Sequence, residues 1–158
     1  MANKAKKTWT EKLQNSKGLP RVEQLDENLA KRFGGKTMLI PAPTDVDAVM
    51  QKVRKGKLLT IDEIRKKLAS NHGAEITCPL TTGIFSWIAS HAADEAEQAG
   101  RKRITPYWRT LKSGGELNAK YPGGIDNVRR RLEAEGHTVI QRGKRFFVES
   151  LAVRKRSG

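Results

Sequence analysis

Val46, Val49, Met50 and Val53 recur at the spacing of one helix face. Thr44 stands before them as an N-cap, Asp45 and Asp47 suit the positive end of the helix dipole, and Gly56 ends the run. Thr60-Ile61-Asp62-Glu63 has the form of a capping box, in which the threonine and the glutamate each accept the other's backbone N–H. Ile61, Ile64 and Leu68 form the apolar stripe of the helix behind it, and Asn71-His72-Gly73 stops it. After Thr77-Cys78-Pro79, Thr81 or Thr82 caps a third helix that runs to about Ala99. Ile84, Phe85, Ile88 and Ala92 are its expected buried face, and Gly100 is its end. Two helices joined by a short turn outline a helix-turn-helix. Ile104 to Leu111 reads as extended, with turns at Lys112-Ser113-Gly114-Gly115 and Tyr121-Pro122-Gly123-Gly124. Ile125 to Glu135 is a fourth helix, with Ile125, Val128 and Leu132 on one face, Arg129, Arg130 and Arg131 mostly on the other, and Gly136 as its C-cap. Thr138 to Ile140 and Arg145 to Val148, around Arg142-Gly143-Lys144, read as a β-hairpin.

The first 43 residues carry weaker signals. A short helix is expected from Trp9 to Gln14 within a Lys-rich arm, with Trp9 pinning the arm to the core. Val22 to Phe33 reads as a short helix stopped by Gly34-Gly35, and Thr37 to Ile40 as an extended piece ended by Pro41 and Pro43. Residues 151–158 read as a frayed basic tail. Helices followed by a basic hairpin describe a mainly α fold with a small β part, a winged helix-turn-helix-like domain with an N-terminal extension.

Charge turns this outline toward a partner. The 158 residues hold 31 Lys and Arg against 17 Asp and Glu, a net charge of +14, so a polyanion is the default partner and nucleic acid the commonest one. The excess is uneven: residues 101–158 carry 15 basic and 5 acidic side chains, which puts the footprint in the last third of the chain. Asp94, Glu95 and Glu97 would be unwelcome beside phosphate, so the end of the third helix should face away from it. No apolar run approaches the roughly 18 residues of a membrane span. The basic N-terminus lacks the apolar core of a secretion signal, and one cysteine, Cys78, allows no internal disulfide. A cytoplasmic, nucleoid-associated monomer is the expectation.

The stretch Ile104-Thr105-Pro106-Tyr107-Trp108-Arg109 is the most informative for chemistry. Aromatic rings stack on bases and arginine pairs with phosphate or base edges; alternatively, Tyr107 and Trp108 are core residues. Arg129, Arg130 and Arg131, with Arg142, Lys144 and Arg145, are the phosphate clamps expected from their clustering, against the plainer reading of a solvated helix face and hairpin tip. Cys78, with His72 and His91 near in sequence, reads as a small buried or incidental turn residue rather than a nucleophile. His137 reads as a helix-end cation. Three histidines and one cysteine without ligand spacing lead to no expected metal, and no cofactor motif is present.

The order of these motifs carries a resemblance. Gly56-Lys57-Leu58-Leu59-Thr60-Ile61-Asp62-Glu63-Ile64, then Pro106-Tyr107-Trp108-Arg109, then Tyr121-Pro122-Gly123-Gly124-Ile125, then Leu132-Glu133-Ala134-Glu135-Gly136, resembles the DNA-binding domain of methylated-DNA–protein cysteine methyltransferases and their alkyltransferase-like relatives. The resemblance spans about residues 44–148. It implies a DNA-binding domain over 44–150, preceded by an extension over 1–43 that does not resemble the family's N-terminal domain. It further implies a helix-turn-helix that enters the minor groove and flips a damaged guanine into a pocket, with downstream repair proteins as partners. Pro106 and Arg109 match the family's Pro-Cys-His-Arg motif, while Tyr107 stands at the cysteine and Trp108 at the histidine. Tyr121, Pro122, Gly123 and Gly124 match the loop that closes on the flipped base.

The departures matter. Alkyl transfer needs an activated thiolate, and a phenol with a pKa near 10 is a poor acceptor at neutral pH. The resemblance therefore implies the non-catalytic branch, which binds alkylated bases without repairing them. Ile61 stands where the family offers a phosphate-turning tyrosine, and no Lys or Arg occurs from Glu75 to Gly100 to fill the gap left by a flipped base. Thr81, Thr82, Ile84 or Phe85 is left as a small or apolar wedge. Four readings stand at this point: a non-catalytic binder of altered bases in duplex DNA, a general winged-helix DNA binder, a methyltransferase using Cys78, and an RNA or ribosome binder.

Overall fold

The computed structural model describes residues 7–152. The start of the N-terminal arm (1–6) and most of the expected basic tail (153–158) lie outside the described residues. The described chain is mainly helical with three small sheets, the fold class expected. Its helices are α1 (Trp9–Gln14), α2 (Glu27–Phe33), α3 (Pro43–Gln51), α4 (Ile61–His72), α5 (Pro79–Gln98) and α6 (Gly124–Ala134). Its strands are β1 (Arg21–Gln24), β2 (Thr37–Ile40), β3 (Leu59–Thr60), β4 (Ile76–Thr77), β5 (Thr110–Leu111), β6 (Val139–Arg142) and β7 (Arg145–Val148). Among the described residues, no helix is long and apolar enough to cross a membrane.

Local signals set most of these elements. Thr60 Oγ1 accepts the Glu63 N–H at 3.3 Å, and Glu63 Oε1 accepts the Thr60 N–H at 3.0 Å, completing the capping box of α4. Gly73 closes that helix in the left-handed region at φ 68°. β6 and β7 pair antiparallel from Val139 opposite Val148 to Arg142 opposite Arg145, with Gly143 in the turn at φ 63°. β1 and β2 pair antiparallel across the intervening α2, and β4 adds parallel to β2, so residues 21–40 share a sheet with the α4–α5 turn. β3 and β5 pair in parallel. α5 is the spine: α1, α3, α4 and the turn at 107–109 all pack on it.

Several expectations need correction. The segment Val22 to Phe33 is a strand and then a helix, because Asp26 accepts the Leu29 N–H at 2.9 Å and starts α2 only at Glu27. α3 begins at Pro43 rather than after Thr44; a proline at the first helical position has no N–H to satisfy, and Asp45 Oδ2 reaches back to the Ala42 N–H at 2.9 Å. α5 likewise begins at Pro79, ahead of Thr81 and Thr82. The stretch Ile104 to Leu111 is a 3₁₀ turn, Tyr107–Arg109, followed by only two residues of strand.

The largest correction concerns which side of α5 is buried. The covered residues are Thr82, Ser86, Ala89, Ser90, Ala92 and Ala93, whereas Ile84 is exposed and Phe85 and Ile88 are half-buried. Small side chains let α1 and α3 approach the helix closely. Their hydroxyls bond within the helix: Thr82 Oγ1 to the Cys78 carbonyl at 2.7 Å, Ser86 Oγ to Gly83 at 2.9 Å, Ser90 Oγ to Trp87 at 2.6 Å. A hydroxyl paired with its own backbone is buried without an unmet hydrogen bond.

Thr60→Ala removes the observed cap and is expected to lower stability by about 1 kcal/mol. Thr44→Ala, at an exposed site outside the observed cap, is expected to leave urea unfolding unchanged. Equal effects of the two substitutions would contradict this assignment of helix starts.

Candidate nucleic-acid interface

The 106–109 segment is built into the core and tied to α6. Tyr107 is 0% exposed, edge-on to Trp108 at 5.2 Å and to Tyr121 at 5.8 Å between ring centroids. Its hydroxyl accepts from Asn127 Nδ2 at 2.9 Å, and the same amide donates to the Pro122 carbonyl at 2.9 Å. Trp108 Nε1 donates to Glu135 Oε2 at 3.1 Å. Arg109 pairs with Glu135 at 2.6 Å and donates to the Val53 carbonyl at 2.7 Å. The Arg131 guanidinium lies 4.6 Å from the Trp108 ring and pairs with Glu97 at 2.6 Å. Pro106, Tyr121 and Pro122 are buried too. Gly123 and Gly124 turn the chain into α6 at φ 75° and 66°; a Cβ on Gly123 would meet that of Asn127 at 2.5 Å. Tyr107 is therefore closed off in the core, because a modest core draws its large aromatics inward, whereas Trp108, though largely buried, reaches with Pro106 and Arg109 the wall of a cleft of about 830 Å³ behind α5.

The open surface lies on the other side of Tyr121. α5 presents Leu80, Ile84 and Trp87 to solvent at 70%, 42% and 36% exposure, along one stripe with His91. Between this stripe, the Leu117–Lys120 segment and the β6–β7 hairpin runs a groove of about 950 Å³, with Lys112, Lys120, Lys144 and Arg145 along it. A second cavity of about 510 Å³ shares Pro79, Gly83, Lys112, Glu116, Asn118 and Arg145 with the groove, and Ile61, Ser86 and Tyr121 line it further in. Burial pushes the Tyr121 phenol up to about 12, so it stays protonated at any physiological pH. Burial likewise raises Tyr107. Arg145 holds Glu116 at 2.8 Å, and that hydrogen bond leads the causes that lower the carboxyl's pKa.

The expected phosphate clamps divide. Arg129 pairs with Glu133 at 3.3 Å and Arg130 donates to Asn127 Oδ1 at 2.6 Å, both exposed on α6, whereas Arg131 is committed to Glu97. Lys144 is exposed at the hairpin turn, and Arg142 lies over the Phe147 ring at 5.8 Å. Thr81 is half-buried with its hydroxyl toward the Cys78 carbonyl, Thr82 is buried and Phe85 packs against the core, so of the four expected wedge residues Ile84 alone is exposed, and Leu80 and Trp87 stand with it on the open face. Their signal was the i, i+4, i+7 spacing opposite a stripe of small residues. His91 stacks on Trp9 at 4.6 Å, and its Nε2 lies 3.1 Å from the Lys120 carbonyl, far from any role with Cys78. Glu95 accepts the N–H groups of Trp9 and Thr10 at 3.1 Å and the Thr10 hydroxyl at 2.7 Å. Among the described residues, no group of three or more His, Cys, Asp or Glu is placed to hold a metal.

Burial of Glu135 acts to raise its pKa, but the hydrogen bonds from Arg109 and Trp108 and the guanidinium charge outweigh it and hold the carboxyl below an ordinary glutamate's 4.5. A depressed folded-state pKa stabilises the fold above 4.5 and loses that contribution as pH falls through the folded value. Glu135→Gln is therefore expected to flatten the acid side of the stability–pH profile in urea titrations. An unchanged acid slope would show that the carboxylate is not coupled to folding.

No protein family model matches the chain, and no curated protein matches it. A solved structure of S. pombe Atl1 in complex with damaged DNA containing O6-carboxymethylguanine is similar at 20% sequence identity and a TM-score of 0.43, over 67% of this chain and 86% of that one.

Proposed function

We propose that the protein binds duplex DNA along the exposed face of α5 and holds an altered or unpaired base in the cavity beside it, without changing that base chemically. The observation that carries this reading is an apolar helix stripe set between cations and opening into a side cavity. Apolar side chains pushed between base steps unstack them at a cost of a few kcal/mol, offset by wider contact with the bent duplex. Leu80, Ile84 and Trp87 are the wedge, Lys112, Lys120, Lys144 and Arg145 meet phosphates, and the β6–β7 hairpin serves as the wing. A displaced base would lie against Ile61, Ser86 and Tyr121, where the neutral phenol is a hydrogen-bonding group and Asn118 a polar edge. The alkyltransferase-like resemblance of the sequence points to alkylated guanine as the altered base, and to repair proteins as the recipients of the marked site. Pro106, Tyr107, Trp108, Arg109, Pro122, Gly123 and Gly124 then support the base site from behind rather than touching the base.

One observation favours a plainer reading, a general duplex binder: α5 brings no Lys or Arg to replace a displaced base. The two readings separate in one experiment. Fluorescence anisotropy with a duplex carrying one alkylated guanine, and with its unmodified twin, is expected to show tighter binding to the former. Gly83 lines both the cavity and the groove and has no atom within 4 Å of an added Cβ, so Gly83→Leu narrows the cavity mouth and is expected to lower the preference for the altered base more than the affinity for plain duplex. Lys144→Ser is expected to reduce the salt slope by about 1. Equal binding to both duplexes leaves the general binder. Absence of duplex binding at low salt, or equal affinity for a structured RNA, overturns the proposal.

A further inference from the structure

Behind α5, away from the groove, lies a cleft of about 830 Å³ between α1, α3 and the segment that leaves α5. Ala89 and Ala93 line it, while Ile84 and Trp87 line the groove. At 100° per residue the two pairs sit on opposite sides of the helix, so the cleft is a separate surface. Its two ends differ in chemistry. The rim carries Arg101, Lys102 and Arg103, three consecutive exposed cations that form no ion pair among the described residues. The floor carries Asp47, 6% exposed, whose Oδ1 accepts the Thr105 hydroxyl at 2.7 Å and whose Oδ2 accepts Gln51 Nε2 at 2.6 Å.

A carboxylate has about four acceptor sites, and two of these are filled. Burial raises the Asp47 pKa against the lowering effect of those two hydrogen bonds, so further donors from a ligand would relieve a real desolvation cost. The floor repels a second anion and wants hydroxyl or N–H donors; the rim wants phosphate. A ligand with donors at one end and phosphate at the other, of a size suited to a cleft of several hundred Å³, is a nucleotide.

We propose that this cleft binds a nucleotide unit, its phosphate on Arg101, Lys102 and Arg103 and its sugar hydroxyls or base N–H groups on the carboxyl of Asp47. The unit is either a free nucleotide or the phosphorylated end of a single strand. An acidic peptide offers the rim carboxylates rather than phosphate, and its backbone N–H groups are donors for the floor, so it is the competing occupant in the test.

Calorimetric titration of the full chain at low salt, with adenosine monophosphate, a 5′-phosphorylated single-stranded oligonucleotide, pyrophosphate and a Glu-rich peptide, tests this. Saturable binding of the mononucleotide identifies the free ligand as the source; binding of the oligonucleotide alone identifies a strand end. Replacing Arg101, Lys102 and Arg103 together by Ser, all on the surface, is expected to weaken that binding by about tenfold or more. Asp47→Asn is expected to weaken nucleotide binding and leave pyrophosphate affinity unchanged. Ile84→Glu, in the groove, is expected to lower duplex affinity and spare nucleotide binding, so failure of the duplex reading and failure of this one are separable. The proposal is overturned if neither nucleotide probe binds, if the triple variant or Asp47→Asn binds them as the parent does, or if the peptide alone titrates.

Discussion

One carboxylate, that of Glu135, ties the groove side of the molecule to its scaffold. It receives Trp108 Nε1, pairs with Arg109 and lies 3.5 Å from the Gly56 amide, so it joins the end of α6, the 106–109 turn and the loop after α3. Arg109 extends the network to the Val53 carbonyl. Removing one member of such a largely desolvated set leaves the others unpaired, which is why a half-satisfied network costs more than none. The network fixes Tyr107; Tyr107 and Asn127 fix Tyr121 and the Pro122 carbonyl; Tyr121 walls the side cavity. The shape of the candidate base site is thus set from behind by residues that do not line it.

The inverted burial of α5 is the second constraint. A helix that buries Thr, Ser and Ala and exposes Leu80, Ile84 and Trp87 gives up hydrophobic stabilisation that the opposite orientation would have gained. The arrangement is coherent because the small face admits α1 and α3 closely, and because contiguous exposed apolar surface marks an interaction site. Trp9 makes the same point from the other side: it sits edge-on to Trp87 at 4.8 Å and on His91, so α1 supports the exposed stripe while Glu95 holds the first turn of α1.

What was legible in the sequence follows from the range of the interactions. The Thr60 capping box, the Gly73 stop, the arginine-bearing helix and the β6–β7 hairpin are set by residues within a few positions of one another, and all appear. The short helix at Trp9 appears as well, with Trp9 against α5. The strand at Arg21–Gln24 was hidden because its partner lies across a turn of helix. The buried face of α5 was hidden because hydrophobicity is the wrong guide where hydroxyls are satisfied by their own helix. The interior position of Tyr107 and Trp108 depends on Asn127 and Glu135 on a helix well downstream, contacts that no local pattern encodes. The core alternative for those two aromatics was nonetheless visible from the small apolar fraction of the chain.

Charge resolves the remaining tension, a spine helix that carries three acids in a strongly basic protein. Glu97 is paired to Arg131, and Glu95 is occupied by the α1 backbone, its pKa lowered first by the Thr10 hydroxyl. Both are satisfied within the fold: Glu97 lies on the far side of the helix, and Glu95 sits one turn beyond His91 on the stripe side, where α1 covers it. Asp94 is half-buried and forms no ion pair among the described residues. Glu116, which does reach the groove, is held by Arg145 and lies 3.7 Å from Lys112. Phosphate approaching those two cations would compete with a carboxylate for them, so each of those contacts exchanges one ion pair for another and adds less to affinity than a cation such as Lys144, which forms no ion pair among the described residues. In the proposed reading, overall positive charge draws a polyanion in, while the apolar stripe and the cavity beside it decide where along the polyanion the protein comes to rest.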